Sequence, residues 1–402
     1  MRVPRESATL QPEALIRTDV PTPLAELAAL FLKLGATSFG GPAAHIAMMD
    51  AEVVRKRGWL TREQFLDFVG VANLIPGPTS TELAIHIGHA RAGRAGLLVA
   101  GACFIVPATL IVGLAAWAYV AYGALPEVAA LLYGVKPVIL AIVAQALWAL
   151  GRTAVRTRAL AVVAALAVVA TAAGVHELLV LAAAGAAMAA TGAGGARRAG
   201  ALVVGAGGAP WSAVASAVGS AAGAGAAVPV SLGGLFLVFA KAGALLFGSG
   251  YVLLAFLRAD LVERLGWMTE AQLLDAIAVG QITPGPVFTT ATFVGYVLAG
   301  PAGALVATLG IFLPAFAFVA ASGPLVPRLR RSPTAGRVLD GINAGSLALM
   351  AVVSWQLGRA ALVDGWTVAL AACGLIALVR FGVASTWLIA GGAVAGWLIG
   401  TL

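Results

Sequence analysis

Two stretches of this chain combine residue types that can hold an anion without a fixed counter-charge: Asn73-Leu-Ile-Pro76-Gly77-Pro78-Thr79-Ser80-Thr81 and Gln281-Ile-Thr283-Pro284-Gly285-Pro286-Val-Phe-Thr289-Thr290. Each Pro-Gly-Pro stops one helix and starts another inside an otherwise apolar block, leaving unpaired N–H groups at the start of the new half-helix. Such a start carries about +0.5 charge from the macrodipole, and Ser and Thr hydroxyls add donors without adding net charge. Two such starts facing each other would offer a tetrahedral oxyanion donors from opposite sides. The plain alternative is a pair of proline kinks that shape a bundle, but two breaks at matching places with hydroxyls on both favour a site.

Lys33 and Lys241 each precede an earlier glycine-rich break, Gly40-Gly41-Pro42 and Gly248-Ser249-Gly250, within apolar sequence. A single lysine could snorkel to the membrane edge. A matched pair predicts that both point toward one central cavity and contact the anion. Glu82, His86 and His89 fall at helical spacing on one face, which reads as satisfied bundle interior or as a candidate proton relay or gate; a metal is disfavoured because Glu82 aligns with Thr290 and the second half has no histidine. Lys136, Arg152 and Arg359 read at least as well as loop-edge anchors. Cys103 and Cys373 stand singly in apolar sequence and read as packing residues.

The elements that carry these residues belong to a membrane protein. Of 402 residues, 61% are hydrophobic and 10% charged, with a mean hydropathy of +0.98, so the chain reads as an all-α, polytopic helix bundle in lipid. The net charge of +8 lies in short loops between apolar segments, which topology explains better than nucleic acid does. Residues 1–23 read as a cytoplasmic tail without the apolar core of a signal peptide.

The chain also repeats itself. Phe31 to Gly40 returns as Phe239 to Gly248, Gly58-Trp59 as Gly266-Trp267, Asp67 as Asp275 and Pro76-Gly77-Pro78 as Pro284-Gly285-Pro286, all at one offset; after one residue is lost, Pro107 meets Pro314 and Trp148 meets Trp355. The expected organisation is a first repeat over 24–192, a Gly/Ala-rich linker over 193–231 with a membrane crossing, and a second repeat over 232–402. Loop arginines fall on one side of the first half only if its first two blocks are re-entrant hairpins broken at Gly40-Gly41-Pro42 and Pro76-Gly77-Pro78. In the second half the clusters shift to the other loops, as Arg328, Arg330, Arg331 and Arg337 show, which predicts inverted halves. Arg258 and Arg264 count against inversion. Trp59-Leu-Thr61 and Trp267-Met-Thr269, with Gln64 and Gln272, predict helix starts by capping box with the tryptophans as headgroup anchors, and give Asp67 and Asp275 a structural role in the first turns.

The strings Phe31-Leu-Lys33-Leu-Gly35, Ser38-Phe39-Gly40-Gly41-Pro42, Gly58-Trp59-Leu, Pro76-Gly77-Pro78 and Ile282-Thr283-Pro284-Gly285-Pro286-Val287-Phe288-Thr289-Thr290 resemble the chromate ion transporter family in its long, two-domain form, over nearly the whole chain. The resemblance implies efflux of chromate, with sulfate as a similar anion, across a bacterial inner membrane. It also implies halves of opposite orientation, and inverted halves around one central site are expected to expose it alternately. The second half departs from the motif where Gly41-Pro42 becomes Ser249-Gly250, so the two glycine-rich breaks need not contribute equally. Partners are then a small oxyanion and the bilayer, with a homo-oligomer left open and no cofactor, metal or nucleic acid expected. Another anion such as sulfate or a carboxylate is the alternative. A membrane-embedded enzyme is weaker still, for want of paired carboxylates or a nucleophile motif.

Overall fold

Fourteen α-helices and no strand make up the described part of the chain. The computed structural model describes residues 22–123, 125–191, 229–247, 252–330 and 332–400. Gly248, Ser249, the tail up to residue 21 and most of the linker lie outside them. The first half runs α1 (Leu24–Thr37), α2 (Gly41–Met49) continuing into a π-helical segment (Asp50–Lys56), α3 (Arg62–Ala72), α4 (Thr79–Tyr122), α5 (Pro126–Ala154), α6 (Arg158–Ala172) and α7 (Glu177–Ala190). The second repeats it with α8 (Leu232–Leu245), α9 (Leu253–Leu257) and a π segment (Arg258–Arg264), α10 (Glu270–Ile282), α11 (Thr290–Arg330), α12 (Pro333–Ala361), α13 (Gly365–Phe381) and α14 (Ser385–Gly400).

α4 is not one straight rod. Ala92 and Gly93 leave helical geometry, Gly93 with φ +58°, and Gly88 packs against Gly96 while Ile85 packs against Gly101. On a straight helix residues 85 and 101 would lie about 24 Å apart, so the chain turns back on itself at 92–93. Side chains cannot fit there: a Cβ on Gly96 would lie 2.1 Å from the Gly88 carbonyl oxygen. The same reversal recurs in α11 at Ala299 and Gly300, with Gly295 against Gly303. Each "long" helix is therefore a short arm, 79–91 or 290–298, followed by a limb of about 45 Å that can cross a 30 Å hydrocarbon core. α5 and α12 are also long and apolar enough to cross.

The short arms form re-entrant hairpins. Thr22 donates its amide to the Arg91 carbonyl, and the Arg91 guanidinium donates to Trp59 O at 3.0 Å and to Thr22 Oγ1 at 2.9 Å. The start of α1, the turn before α3 and the return of the α4 arm thus share one end of the molecule. Both blocks enter and leave by the same face, as the arginine pattern required. Trp59 is buried between Arg57 and Arg91. It packs this corner and does not anchor in headgroups, the place expected for it. Both capping boxes form, Thr61 with Gln64 and Thr269 with Gln272.

The halves are related by a pseudo-two-fold and are inverted. The equivalent limbs of α4 and α11 pack side by side, Gly101 on Phe316 near one end and Tyr119 on Phe293 toward the other. Thr292 bonds Thr308 across the α11 reversal, so Phe293 is level with the residues just before 308 and the two limbs run antiparallel. Equivalent helices that run antiparallel need a two-fold lying in the membrane plane. The halves also exchange helices: α6 and α7 pack on α12, while α13 and α14 pack on α5. Gly134 meets the backbone of Gly392 and Gly396, and Gly341 that of Ala184 and Gly185, the close approach that small residues allow between helices in lipid. The outer surface repeats too. Leu98 and Leu305 are 59% and 61% exposed and Trp148 and Trp355 are each 72% exposed, an apolar coat suited to acyl chains.

Candidate functional site at the docked helix breaks

The breaks of one half dock on those of the other. Gly77 N–H donates to Leu246 O at 2.7 Å, and Gly285 N–H donates to Ser38 O at 2.8 Å. These are the same bond seen from the two halves: each Pro-Gly-Pro centre is tied to the end of the other half's first helix. Glycine is needed at both, because Gly77 and Gly285 have φ of +138° and +88°. A Cβ on Gly285 would also lie 2.5 Å from Ala108 Cβ. Gly77, Pro78, Pro284, Gly285 and Pro286 are all buried, so neither break turns outward.

Proline ahead of each half-helix leaves amides without carbonyl partners. On α4 the amides of Thr81 and Glu82 both return to Pro78 O, and no described carbonyl accepts from Thr79 or Ser80. At the start of the second half-helix Thr289 N–H returns to Pro286 O, and no described carbonyl accepts from Val287 or Phe288, at positions equivalent to Thr79 and Ser80. Unpaired amides at buried positions call for a partner, and an anion supplies one. Gln281 and Thr290 line a narrow cleft with Val287 and Leu254, too tight for more than a water. In this conformation the second break is closed.

The expected hydroxyl donors behave unequally. Thr283 Oγ1 donates to Val279 O, Thr289 Oγ1 to Pro286 O and Thr290 Oγ1 to Val287 O, so these three are committed to their own backbone and the second half offers amides in their place. Thr79, Ser80 and Thr81 are buried, and Thr81 Oγ1 has no partner. Asn73 is exposed at the C-cap of α3, and Gln281 is buried. Gly40 starts α2 with φ +101° and Gly41 follows with φ +77°. The row Glu82, His86, His89 divides: the first two are buried, while His89 is exposed. His86 stacks on Phe68 with ring centroids 5.8 Å apart.

The lysine expectation needs correction. Lys33 and Lys241 do not form a free pair facing one cavity; each is held by an acid from the π segment of its own half. Lys33 Nζ lies 3.0 Å from Glu52 with its side chain 58% exposed, and Lys241 Nζ lies 2.5 Å from Asp260 and 3.0 Å from Glu177 with only 9% exposed. Glu52 also binds Lys56 and Arg57, and Asp260 also binds Arg264. The acids were legible, since Glu52 and Asp260 obey the same offset as the lysines. Glu177 comes from α7, whose folding against the second half no pattern announces.

Around these pairs the charges swap sign between halves. Asp50 binds Arg55 and Arg62, and at the equivalent places Arg258 binds Glu263 and Glu270. The outward-facing partners are thus basic on one half and acidic on the other, as inversion under the positive-inside rule requires. Arg258 and Arg264, which spoke against inversion, are both neutralised. Lys136 is not a loop-edge anchor either: it lies inside α5 and pairs at 3.1 Å with buried Asp275, which also accepts from Tyr119 Oη at 2.9 Å. Asp275 therefore joins the halves and does more than start a helix.

Comparison with known proteins matches this architecture twice over. The family model described as chromate transporter matches residues 25–189 and again 233–397. The chain belongs to the chromate transporter family. Within reach of it are the chromate transport protein of Pseudomonas aeruginosa, 34% identical over 85% of this chain and 83% of the relative, and that of Cupriavidus metallidurans, 30% identical over 92% and 91%. A protein of Synechococcus elongatus named as a probable chromate transport protein is 31% identical over 91% of this chain and 92% of its own length. No solved structure matches the chain. As a chromate transporter family member with two homologous helical halves, it is a multi-pass membrane transporter.

Proposed function

We propose that this chain exports a chromate-type oxyanion across a bacterial inner membrane, leaving the cargo chemically unchanged, by alternating exposure of a site built on the two Pro-Gly-Pro breaks. The single observation that supports this most is the matched amides from which no described carbonyl accepts, Thr79 and Ser80 in one half and Val287 and Phe288 in the other, at half-helix starts fixed by the Gly77 and Gly285 bonds. These amides and the Thr81 hydroxyl are the donors. Asn73, Pro76, Gly77, Pro78, Gln281, Pro284, Gly285 and Pro286 shape the breaks that present them, with Gly40 and Gly41 beside them. Lys33 and Lys241 act as staples of their hairpins. The narrow cleft at Gln281 and Thr290 fits a site that opens only on a change of conformation.

Export of a dianion from a negative interior is favoured by about 4.6 kcal/mol per 100 mV, twice the single-charge value. For the bare dianion, voltage therefore suffices without a coupling ion. The test is chromate flux in proteoliposomes with an imposed potential: saturable flux that follows voltage supports the reading, and flux no greater than in empty vesicles refutes it. Amides and a hydroxyl recognise any tetrahedral dianion, so sulfate is the second reading, and competition between sulfate and chromate for flux ranks the two.

A further inference from the structure

One buried group lies at this site without a role in holding an anion. Glu82 is 0% exposed and neither carboxylate oxygen has a partner. Its Oε1 abuts Gly77, within 2.5 Å of where a Cβ would stand, so the carboxyl is folded back to the start of its own half-helix. A charged carboxylate there would occupy the positive end of the dipole and repel an arriving dianion, whereas a neutral carboxyl would not, and would add an O–H donor. Repulsion inside a low-dielectric site is strong, so the charged acid and the anion exclude each other. The second half has Thr290 at this position, already bonded to Val287 O, so the acid is present once per chain.

The other titratable groups on elements around Glu82 are accounted for. On α4, His86 is buried against Phe68 and His89 is exposed. From α2, His45 is buried with Nε2 against Ser38 O. Lys33 on α1 is held by Glu52, Lys241 on α8 by Asp260 and Glu177, Asp275 on α10 by Lys136, and Asp67 on α3 is exposed and engaged. Among the described residues none of these groups has a hydrogen bond or ion pair to Glu82, so none is placed to hand it a proton directly.

We propose that Glu82 takes up one proton from solution, COO⁻ becoming COOH, as each anion binds, so that anion and proton occupy the break together. The inference rests on the anion-site reading above. By linkage, a site that must gain a proton to bind loses affinity about tenfold for each pH unit above the titration of that group. The experiment is calorimetry of chromate binding to the purified full chain on the alkaline side, where chromate is a dianion, in buffers of different ionisation enthalpy so that protons are counted. Expected for the native chain are a dissociation constant rising about tenfold per pH unit and close to one proton taken up. Glu82→Gln, nearly isosteric and breaking no bond, is expected to bind with no pH dependence and no proton.

Native binding that is independent of pH would overturn the proton linkage and leave the anion site standing. Absence of chromate binding at every pH would remove both. Proton uptake that survives in Glu82→Gln, or that disappears in His45→Gln or His86→Gln, would assign the proton elsewhere and overturn the proposal. If Glu82→Gln fails to fold, the native proton count still tests the linkage and the His45→Gln and His86→Gln variants test its assignment.

Discussion

Lys33 and Lys241 occupy the same position in two copies of one motif, yet the structure predicts very different consequences for replacing them with methionine. Lys33 is 58% exposed, and its partner Glu52 keeps Lys56 and Arg57 when it is gone. Its loss should cost at most about 1 kcal/mol, as for exposed ion pairs. Lys241 sits in a set of Lys241, Arg264, Asp260 and Glu177 whose charges sum to zero, with the exposed His176 ring against Glu177 and Arg264 and with Asp260 only 1% and Glu177 only 8% exposed. Removing it leaves two buried carboxylates to one guanidinium, a loss of about 3–5 kcal/mol. Thermal melting in detergent should therefore show Lys241→Met well below Lys33→Met. Adding Glu177→Gln to Lys241→Met restores neutrality, with Asp260 still bound by Arg264, and should recover most of the difference. Equal losses for the two single variants, or no recovery in the double one, would refute this account of the cluster.

Other outcomes follow from packing and charge. Gly96→Ala or Gly303→Ala puts a methyl group about 2.1 Å from a carbonyl oxygen of the facing arm, where the neighbour is backbone and cannot yield; melting should fall by at least about 1–3 kcal/mol. Gly113→Ala, with open space around it, should change stability by no more than about 1 kcal/mol. Lys136→Met should destabilise by about 3–5 kcal/mol by stranding Asp275, and Lys136→Met with Asp275→Asn should recover most of that. Asp364, exposed at the start of α13, is held below the usual carboxylate range first by the Tyr133 hydroxyl and then by the Thr367 amide. Its folded-state pKa is depressed, so its contribution is present above the unfolded value and lost as pH falls through the folded one. Melting of Asp364→Asn should converge with the native chain only in acid.

Much of the fold was legible because it is encoded locally and twice. Pro-Gly-Pro inside an apolar block breaks a helix wherever it sits, Thr61 with Gln64 makes a cap from its own turn, and a loop arginine such as Arg94 reports its side of the membrane. The offset between Lys33 and Lys241 exposed the duplication, and duplication with reversed loop charges exposed inversion. A turn near Arg91 and Arg94 was implied by reading them as loop residues, but its tightness at Gly93 and Gly300, with Gly88 on Gly96 and Gly295 on Gly303, was not, since glycine alone does not say how closely two arms pack. The candidate site was half legible. Break positions and the acid at 82 could be read, but whether a hydroxyl is free depends on its rotamer, and Thr289 and Thr290 spend theirs on their own backbone. The partner of a buried lysine is a three-dimensional fact: Glu177 reaches Lys241 only because α7 crosses to the other half, and Asp275 reaches Lys136 in the same way.

The central claim is that the anion is held where these breaks meet, and hydrogen exchange of the full chain in lipid nanodiscs, followed by mass spectrometry with and without saturating chromate, tests it most directly. Slowed exchange concentrated in peptides covering 73–82 and 281–290 is the predicted result. Protection confined to other segments, or none at all while flux is saturated, would contradict it.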